Sequence, residues 1–232
     1  MAELLLDIGN SRTKAVLHQE GSFMMLPDHN ATTMAQYQIS AVLCASVASD
    51  DRIDAIRQET GLVREPWQIV HSEAAKSGLR SQYLEPHLLG VDRWLAMLGA
   101  IQLWPAQSLL VVDAGTALTL DWVDEQGQHL GGWIIPGFRL QQQAVIGQTA
   151  KVFNNSMQHA KVSLGVDTSS CLQNGCLTAA VAVILQGFSL QQATKVVLTG
   201  GDANLLLPYL SELNPQVEPL LIFRGLSLYI QK

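Results

Sequence analysis

The chain opens with two short apolar runs that are separated by a polar turn. Residues 4–8 (LLLDI) are almost wholly apolar, and residues 13–17 (TKAVL) resume an alternating pattern after Gly9 and Asn10. This spacing predicts a β-hairpin with a tight turn. Asp7 ends the first strand, where a carboxylate either caps the turn or faces a ligand.

The same pattern returns in the second half of the chain, at residues 109–129 (LLVVDAGTALTLDWVDEQGQH). Asp113 follows Asp7 by 113 − 7 = 106 positions. Each aspartate is followed by a glycine two positions later and by a turn glycine 14 positions later, at Gly21 and Gly127. A repeat of this length indicates a duplicated structural unit.

Each half continues with a buried strand and a helix. Residues 41–46 (AVLCAS) lead into a helical stretch, and residues 195–207 (KVVLTGGDANLLL) read as strand, glycine turn and helix. The pattern predicts an α/β fold of two duplicated subdomains with mixed sheets and a cleft between them. The predicted subdomains are residues 1–104 and 105–232.

Three further elements are predicted from periodicity. A helix covers residues 92–104, with Asp92 as its N-cap and Pro105 ending it. A long apolar helix covers residues 168–188, with Thr168 or a neighbouring hydroxyl as its cap, and a last helix covers residues 221–230. The long helix is apolar around much of its circumference, as expected for a helix at a domain or subunit interface.

Composition narrows the classes of partner. The chain has 20 acidic and 14 basic residues, a net charge of −6, and no basic stripe, which disfavours nucleic acid as a partner. No apolar run reaches about 18 residues, so no membrane span is predicted. The three cysteines form no disulfide framework or metal spacing, and we expect buried thiols in a cytoplasmic protein.

The two Asp-x-Gly turns suit phosphate binding, because glycine lets backbone N–H groups approach an anion closely. The first turn adds Asn10, Ser11 and Lys14, and the second adds Thr116. A carboxylate beside phosphates requires a cation between them, usually Mg²⁺. Either aspartate taken alone is more simply a turn cap, but the symmetric pair favours a site.

The stretch GVDR (residues 90–93) offers a second candidate site. Asp92 at a helix start is either an ordinary N-cap or a general base that accepts a proton from a substrate hydroxyl. Arg93 could pair with a substrate carboxylate through its two-pronged guanidinium. The glycine turns at residues 131–137 and 198–203 are strand-to-helix corners, and the residues alone leave open whether a ligand also binds there.

Five motifs in order give the chain a resemblance to the type III pantothenate kinases of the actin, Hsp70 and sugar-kinase superfamily. They are DIGNSRTK, GVDR, DAGTALT, GGWIIPG and LTGGDA, and they span nearly the whole chain. The resemblance implies two ribonuclease-H-like subdomains and the ATP-dependent phosphorylation of pantothenate, the first step of coenzyme A synthesis. It also implies a homodimer with pantothenate near the subunit interface.

The resemblance also implies a role for individual residues. Asp92 would be the catalytic base, Asp113 would bind a monovalent cation (K⁺ or NH₄⁺), and Asp7 would hold Mg²⁺ through the phosphates. The remaining ATP contacts would be Ile8, Gly9, Asn10, Ser11, Arg12, Thr13, Lys14 and Thr116. The pantothenate contacts would be Tyr83, Gly90, Val91, Asp92, Arg93 and Thr168. Ser11 stands where the family usually has threonine, and the adenine would lie near LTGGDA.

Two alternatives remain open on the sequence alone. The same fold could phosphorylate another small acceptor, such as a sugar or a short carboxylic acid. The chain could also be a regulator that has lost catalysis, although the joint presence of Asp7, Asp92 and Asp113 disfavours this. A protein without catalysis has no need of all three carboxylates.

Overall fold

The computed structural model describes residues 2–9, 12–148 and 160–231. The strands are β1 (Ala2–Ile8), β2 (Thr13–Gln19), β3 (Ser22–Met25), β4 (Ile39–Ser46), β5 (Trp67–Val70), β6 (Ala75–Lys76), β7 (Leu79–Arg80), β8 (Leu109–Ala114), β9 (Ala117–Val123), β10 (His129–Pro136), β11 (Lys195–Thr199) and β12 (Gln216–Val217). The α-helices are α1 (Ala31–Met34), α2 (Asp50–Thr60), α3 (Val91–Leu103), α4 (Phe138–Gln148), α5 (Thr168–Leu190), α6 (Ala203–Leu206) and α7 (Leu221–Ser227). Short 3₁₀ turns cover Pro86–Leu88, Leu207–Tyr209 and Ser211–Leu213.

The first unit is built on a five-stranded mixed sheet in the order β3-β2-β1-β4-β5. Strand β1 pairs antiparallel with β2 and parallel with β4, so β1 lies at the centre of the sheet. One face of β1 presents Leu4, Leu6 and Ile8, which pack in a buried cluster with Ile53 and Ile56 of α2. Burial on both sides explains why the sequence of β1 is almost continuously apolar.

The second unit repeats this sheet in the order β10-β9-β8-β11-β12. Strand β8 pairs antiparallel with β9 and parallel with β11, as β1 does with β2 and β4. The core of this unit packs Leu110 and Leu120 of the sheet with Leu177 and Ile184 of α5.

The two sheets confirm the predicted duplication of an α/β, ribonuclease-H-like unit. Asp7 pairs with Lys14 on one neighbouring strand and with Ala45 on the other. Asp113 occupies the same position in its sheet and pairs with Thr119 and Thr199. The repeat in sequence therefore corresponds to a repeat in strand order and direction.

The unit boundaries differ from the predicted division at one place. The compact units are Met1–Pro105 with Leu220–Lys232, and Ala106–Pro219. The switch at Pro105 lies one residue from the predicted boundary, but the C-terminal segment packs with the first unit. The reason is the close contact of α7 with α3, where a Cβ on Gly99 would overlap the carbonyl oxygen of Leu221.

Helix α5 is long and apolar enough to cross a membrane, by length and composition alone. The sequence pattern predicted no such segment, because polar residues such as Gln173 and Asn174 interrupt the apolar run. Both of these polar side chains are buried, and Leu177 and Ile184 of the same helix lie in the core of the second unit. A core helix of this kind passes the same test, so the finding is weak support for a membrane span.

The thiols depart from expectation at one position. Cys44 and Cys176 are buried, as predicted, but Cys171 is exposed in the first turn of α5. Burial raises the pKa of the Cys44 thiol to about 11, which keeps it protonated at neutral pH.

Candidate active site

The first candidate turn joins β1 to β2 and begins at Asp7. Gly9 N donates a hydrogen bond to Arg12 O (2.9 Å), and a Cβ on Gly9 would lie 3.1 Å from that oxygen. Asp7 is half-buried, and its neighbour across the hairpin is Lys14. Asn10 and Ser11, two of the predicted phosphate contacts, lie outside the described residues.

Asp7 has an unusual electrostatic environment. Burial raises the pKa of its carboxyl to about 6, Lys14 opposes this rise, and the nearby charge of Asp92 adds to it. The structure therefore brings three predicted site residues, Asp7, Lys14 and Asp92, within electrostatic range of one another. Two neighbouring carboxylates beside an ammonium form a site that a divalent cation with phosphate ligands would satisfy.

The other residues predicted around this turn differ in exposure. Ile8 is buried, Thr13 is half-buried and Arg12 is exposed. The hydroxyl oxygen of Thr13 is buried and has no hydrogen-bond partner among the residues that the structure describes. A buried hydroxyl of this kind needs a partner, so it is available to a ligand at the turn.

The GVDR stretch forms the start of α3, but its cap differs from the prediction. Gly90 is the N-cap, and Asp92 lies in the first turn of the helix. Asp92 Oδ1 accepts a hydrogen bond from the backbone N of its neighbour Arg93 (2.8 Å). A Cβ on Gly90 would lie 2.6 Å from that oxygen, so glycine makes room for the carboxylate. Asp92 is thus not an N-cap, and the simpler of its two sequence interpretations is wrong.

Two predicted substrate residues contact each other directly. Arg93 is only 5% exposed, and its Nη1 donates to the Tyr83 hydroxyl (3.0 Å). The guanidinium carbon lies 5.9 Å from the centroid of the Tyr83 ring. Val91 is buried and contributes packing rather than an exposed contact. Tyr83, Asp92 and Arg93 therefore form one group at the start of α3.

The second candidate turn, at the end of β8, is shaped by glycines. Gly200 has a φ of +92°, and a Cβ there would overlap Asp113 Oδ1 and the backbone of Ala114. Gly115 N donates to Ala117 O (3.0 Å) and closes the turn that follows Asp113. A side chain at position 200 is excluded by both conformation and space.

The motif GGWIIPG packs against the same turn. Gly137 N donates to Thr116 O (2.9 Å), and a Cβ on Gly137 would overlap the carbonyl oxygen of Gly115. Asp202, from LTGGDA, donates its backbone N–H to Ala114 O (2.9 Å). The structure therefore brings together three motifs of the second unit that are far apart in sequence, around the exposed residue Thr116.

Arg139 is a residue of this second turn that the sequence did not single out. Its Nε lies 3.8 Å from Asp202 Oδ1, and about half of its side chain is exposed. The only signal in the sequence is its position two residues after the glycine of GGWIIPG. The ion pair places a cation beside a turn whose predicted ligand is polyanionic.

Thr168, the last predicted substrate contact, is exposed and is not the cap of α5. The N-cap is Asp167, whose side chain accepts from Ser170 N (2.9 Å) in a capping box. These hydrogen bonds lower the pKa of Asp167. Thr168 lines a cavity of about 400 Å³ together with Val145, Cys171 and Leu172.

A metal site made of protein groups alone is not found in the described ranges. No group of three or more His, Cys, Asp or Glu side chains there could hold a metal ion. The six histidines were predicted not to be metal ligands, and His129 instead pairs with Asp121 in the interior of the second unit (3.0 Å). A cation at Asp7 or Asp113 would need ligands from a bound phosphate, water or backbone.

Comparison with known proteins shows one consistent similarity. The family model of type III pantothenate kinase matches residues 3–189. The type III pantothenate kinase of Colwellia psychrerythraea is 35% identical over 97% of this chain and 99% of its own length.

Among solved structures, a protein described as a Baf family transcriptional activator, from Campylobacter jejuni, has a TM-score of 0.61 at 23% identity. The match covers 97% of this chain and 95% of that one. A protein described as a 2-dehydro-3-deoxygalactonokinase, from Sinorhizobium meliloti, has a TM-score of 0.58 at 11% identity, with 97% of both chains covered. Both likenesses show the fold alone.

Proposed function

The chain belongs to the type III pantothenate kinase family and phosphorylates pantothenate with ATP, and from this premise we propose which residues carry the reaction. This is the first step of coenzyme A synthesis. The observation that carries the proposal is that Asp92 and Lys14 lie within electrostatic range of Asp7 in the first unit. It combines a candidate base with a candidate phosphate and cation site.

Asp92 is the proposed general base. It accepts the proton of the primary hydroxyl of pantothenate while that oxygen bonds to the γ-phosphorus, and the bond from phosphorus to the β,γ-bridging oxygen breaks to release ADP. The hydrogen bond from Arg93 N and the space left by Gly90 support this role because they orient one carboxylate oxygen and leave the other for substrate.

Arg93 and Tyr83 are the proposed contacts to pantothenate. A guanidinium at the start of α3 is a fixed positive charge, and the pantothenate carboxylate can accept two parallel hydrogen bonds from such a group. The Tyr83 hydroxyl holds the guanidinium in position. Gly90 and Val91 are further proposed contacts to pantothenate beside Asp92, and the exposed residue Thr168 is proposed as an additional polar contact.

The turns after Asp7 and Asp113 are the proposed phosphate contacts. The Thr13 hydroxyl, which has no partner among the described residues, and the Lys14 ammonium support phosphate binding at the first turn. The other proposed members of this turn are Ile8, Gly9, Asn10, Ser11 and Arg12. Mg²⁺, the divalent ion that kinases use to neutralise charge on the phosphates, fits beside Asp7. At the second turn we propose Thr116 as a phosphate contact and Asp113 as the ligand of K⁺ or NH₄⁺.

We also propose a homodimer in the cytoplasm, without nucleic acid or membrane partners. The apolar cavity beside Thr168 and the exposed side chains of Leu185 and Leu190 on α5 support a subunit interface on this helix. The net charge of −6 supports the absence of a nucleic acid partner.

The test of the reaction is ADP release by the purified protein with ATP, Mg²⁺, K⁺ and pantothenate. We expect release that depends on pantothenate and is lower when Na⁺ replaces K⁺. The controls omit pantothenate or replace it with a sugar or another short hydroxy acid. Release that is equal with and without pantothenate contradicts the reaction, and an equal rate in Na⁺ contradicts the role of Asp113.

A further inference from the structure

The start of α3, which carries Asp92 and Arg93, is held from the side by the last residues of the chain. Trp94, the next residue of α3, is fully buried, and its Nε1 donates to the Tyr229 hydroxyl (2.9 Å). Tyr229 follows α7, and its own backbone N–H donates to Leu226 O (3.1 Å). A single hydrogen bond thus links the C-terminal segment to the turn of the proposed base.

The Tyr229 hydroxyl has a second partner. It hydrogen-bonds the Glu73 side chain, so it accepts from Trp94 and donates to a carboxylate at the same time. Burial and this hydrogen bond raise the pKa of Tyr229, which keeps the phenol neutral and able to donate. Lys76 Nζ lies 4.1 Å from the centroid of the same ring and covers it.

The segment that contains Glu73 also holds the other side of the GVDR turn. Ser72 Oγ donates to Leu89 O (2.7 Å), and Leu89 is the residue directly before Gly90. We name Ser72, Glu73, Lys76, Trp94 and Tyr229 the C-terminal clamp. The clamp thus contacts the chain on both sides of the GVDR stretch. Ser72 binds Leu89, just before Gly90, and Tyr229 binds Trp94, just after Arg93.

The register of the clamp is set by helix packing. A Cβ on Gly225 of α7 would overlap the carbonyl oxygen of Leu95 of α3, and the reciprocal contact joins Gly99 to Leu221. Two glycines in reciprocal contact let the helix backbones meet and leave little freedom to slide. The position of Tyr229 relative to Trp94 is therefore determined by backbone contacts and not by the side chains alone.

We propose that Tyr229 is a positioning residue for the transfer step, which through Trp94 holds the turn of Asp92 and Arg93 in its productive geometry. The inference rests on the proposed roles of Asp92 and Arg93. A phenylalanine at position 229 fills the same space but leaves the Trp94 N–H buried without its acceptor. The turn then shifts or fluctuates, and a displacement of about 1 Å is enough to slow a transfer reaction severely.

The test is steady-state kinetics of the full-length chain carrying Tyr229→Phe. We expect kcat to fall about tenfold or more and KM for pantothenate to rise, with KM for ATP unchanged. Trp67→Phe is the matched control, because it also removes an indole hydrogen bond in the first unit, from Trp67 Nε1 to Leu62 O (2.7 Å). The control should lower stability without this kinetic pattern.

A double-mutant cycle with Trp94→Phe tests the route of the effect. If Tyr229 acts through Trp94, the double variant is no slower than Trp94→Phe alone. Glu73→Ala, on an exposed residue, provides a second variant in case Tyr229→Phe does not fold, and it should change the same constants in the same direction.

The possible results distinguish a failure of the proposed function from a failure of the positioning role of Tyr229. A wild-type chain that releases no ADP with pantothenate overturns the proposed function and this inference together. An active wild type whose Tyr229→Phe variant has constants within about twofold of it overturns the positioning role alone, even if the melting temperature falls. Where Tyr229→Phe does not fold, the same result for Glu73→Ala overturns it.

Discussion

The Asp92 carboxylate shares its surroundings with a second carboxylate, and this pairing has a consequence at the residue scale. One Asp92 oxygen accepts a hydrogen bond from Arg93 N. The negative charge of Asp92 lies near enough to Asp7 to raise the pKa of that carboxyl. An amide at position 92 keeps the shape and the acceptor oxygen but cannot take up a proton. Chemistry and binding can therefore be separated at this residue.

We expect Asp92→Asn to reduce turnover by about 10²-fold or more and to leave ATP binding intact, because a positioned base contributes on this scale. Single-turnover ADP formation and a fluorescent nucleotide titration measure the two quantities. Asp50→Asn in the first turn of α2 is a matched control, since it removes one carboxylate from a helix start away from α3. A rate near that of wild type would return Asp92 to a purely structural role.

The raised pKa of Asp7 indicates that its negative charge lowers the stability of the fold at neutral pH, although the proposed function requires that charge. Its folded pKa of about 6 exceeds the unfolded value of 3.8, so the folded state binds more protons between these pH values and stability falls as pH rises through them. Asp7→Asn, in protein free of metal and nucleotide, should therefore raise the free energy of unfolding by about 1–3 kcal/mol at pH 7.5. The difference should vanish near pH 4.

Urea denaturation of Asp7→Asn and wild type across this pH range measures the effect. Glu20→Gln on an exposed turn removes the same amount of charge and is the control. The stabilised variant should also lose activity, because the proposed Mg²⁺ side of the phosphate site is gone. A variant that is less stable than wild type at pH 7.5 would contradict the conclusion that burial of the Asp7 charge outweighs its attraction to Lys14.

Single residues also show what sequence reasoning could reach. The role of Gly90 in the GVDR turn was predictable as a motif, but its place as N-cap depends on where the helix backbone begins, and helix starts are ambiguous by one or two residues. The cap of α5 was missed for the same reason, since Asp167 and Thr168 are both good capping residues. Arg139 carried no periodic signal, because only the fold brings it beside Asp202.

At the scale of elements, α3 and α7 of the first unit meet through close backbone contacts at Gly99 and Gly225, and a substitution can test how much this contact stabilises the protein. Gly225→Ala should destabilise the protein by about 1–3 kcal/mol or more, because the added methyl overlaps the Leu95 carbonyl and the backbones must separate. Gly175→Ala in α5 is the control, since nothing lies within 4 Å of its Cβ position and alanine favours helix.

We expect the control to stabilise by about 0.5–1 kcal/mol. Chemical denaturation of both variants gives the comparison. Equal stability changes in the two variants would show that α7 does not approach α3 as closely as the backbone positions indicate.

The elements themselves were largely predictable because their signals are local. The hairpin of β1 and β2 was predictable from the apolar residues on both sides of the Gly9 turn. The equivalent hairpin of β8 and β9 was predictable from the sequence repeat. The pairing of α7 with α3 was not predictable in this way. Both helices are apolar enough to pack in either unit, and the decisive contacts of Gly99 and Gly225 join residues more than 100 positions apart.

At the scale of the whole molecule, the first unit is discontinuous in sequence. Its core includes Leu221, Phe223 and Leu226 from α7, all buried, although the rest of the unit ends at Pro105. A chain that ends at Pro219 should expose the apolar face of α3 and lose cooperative unfolding of the first unit.

Hydrogen exchange of the β1–β5 amides measures this loss. A chain that ends at Ile230 is the control, because it keeps α7 and Tyr229 and removes only the last two residues. Wild-type protection in the chain that ends at Pro219 would contradict the assignment of α7 to the first unit.

The late position of α7 sets an order of events during synthesis on the ribosome. A nascent chain ordinarily folds its amino-terminal portion as soon as that portion emerges. Here the first unit waits for α7, since the helix that completes it is translated only after the whole of the second unit. A polypeptide released by premature termination before residue 220 lacks both α7 and the tyrosine that holds the Asp92 turn. Catalytic competence is thereby tied to synthesis of the chain through Tyr229.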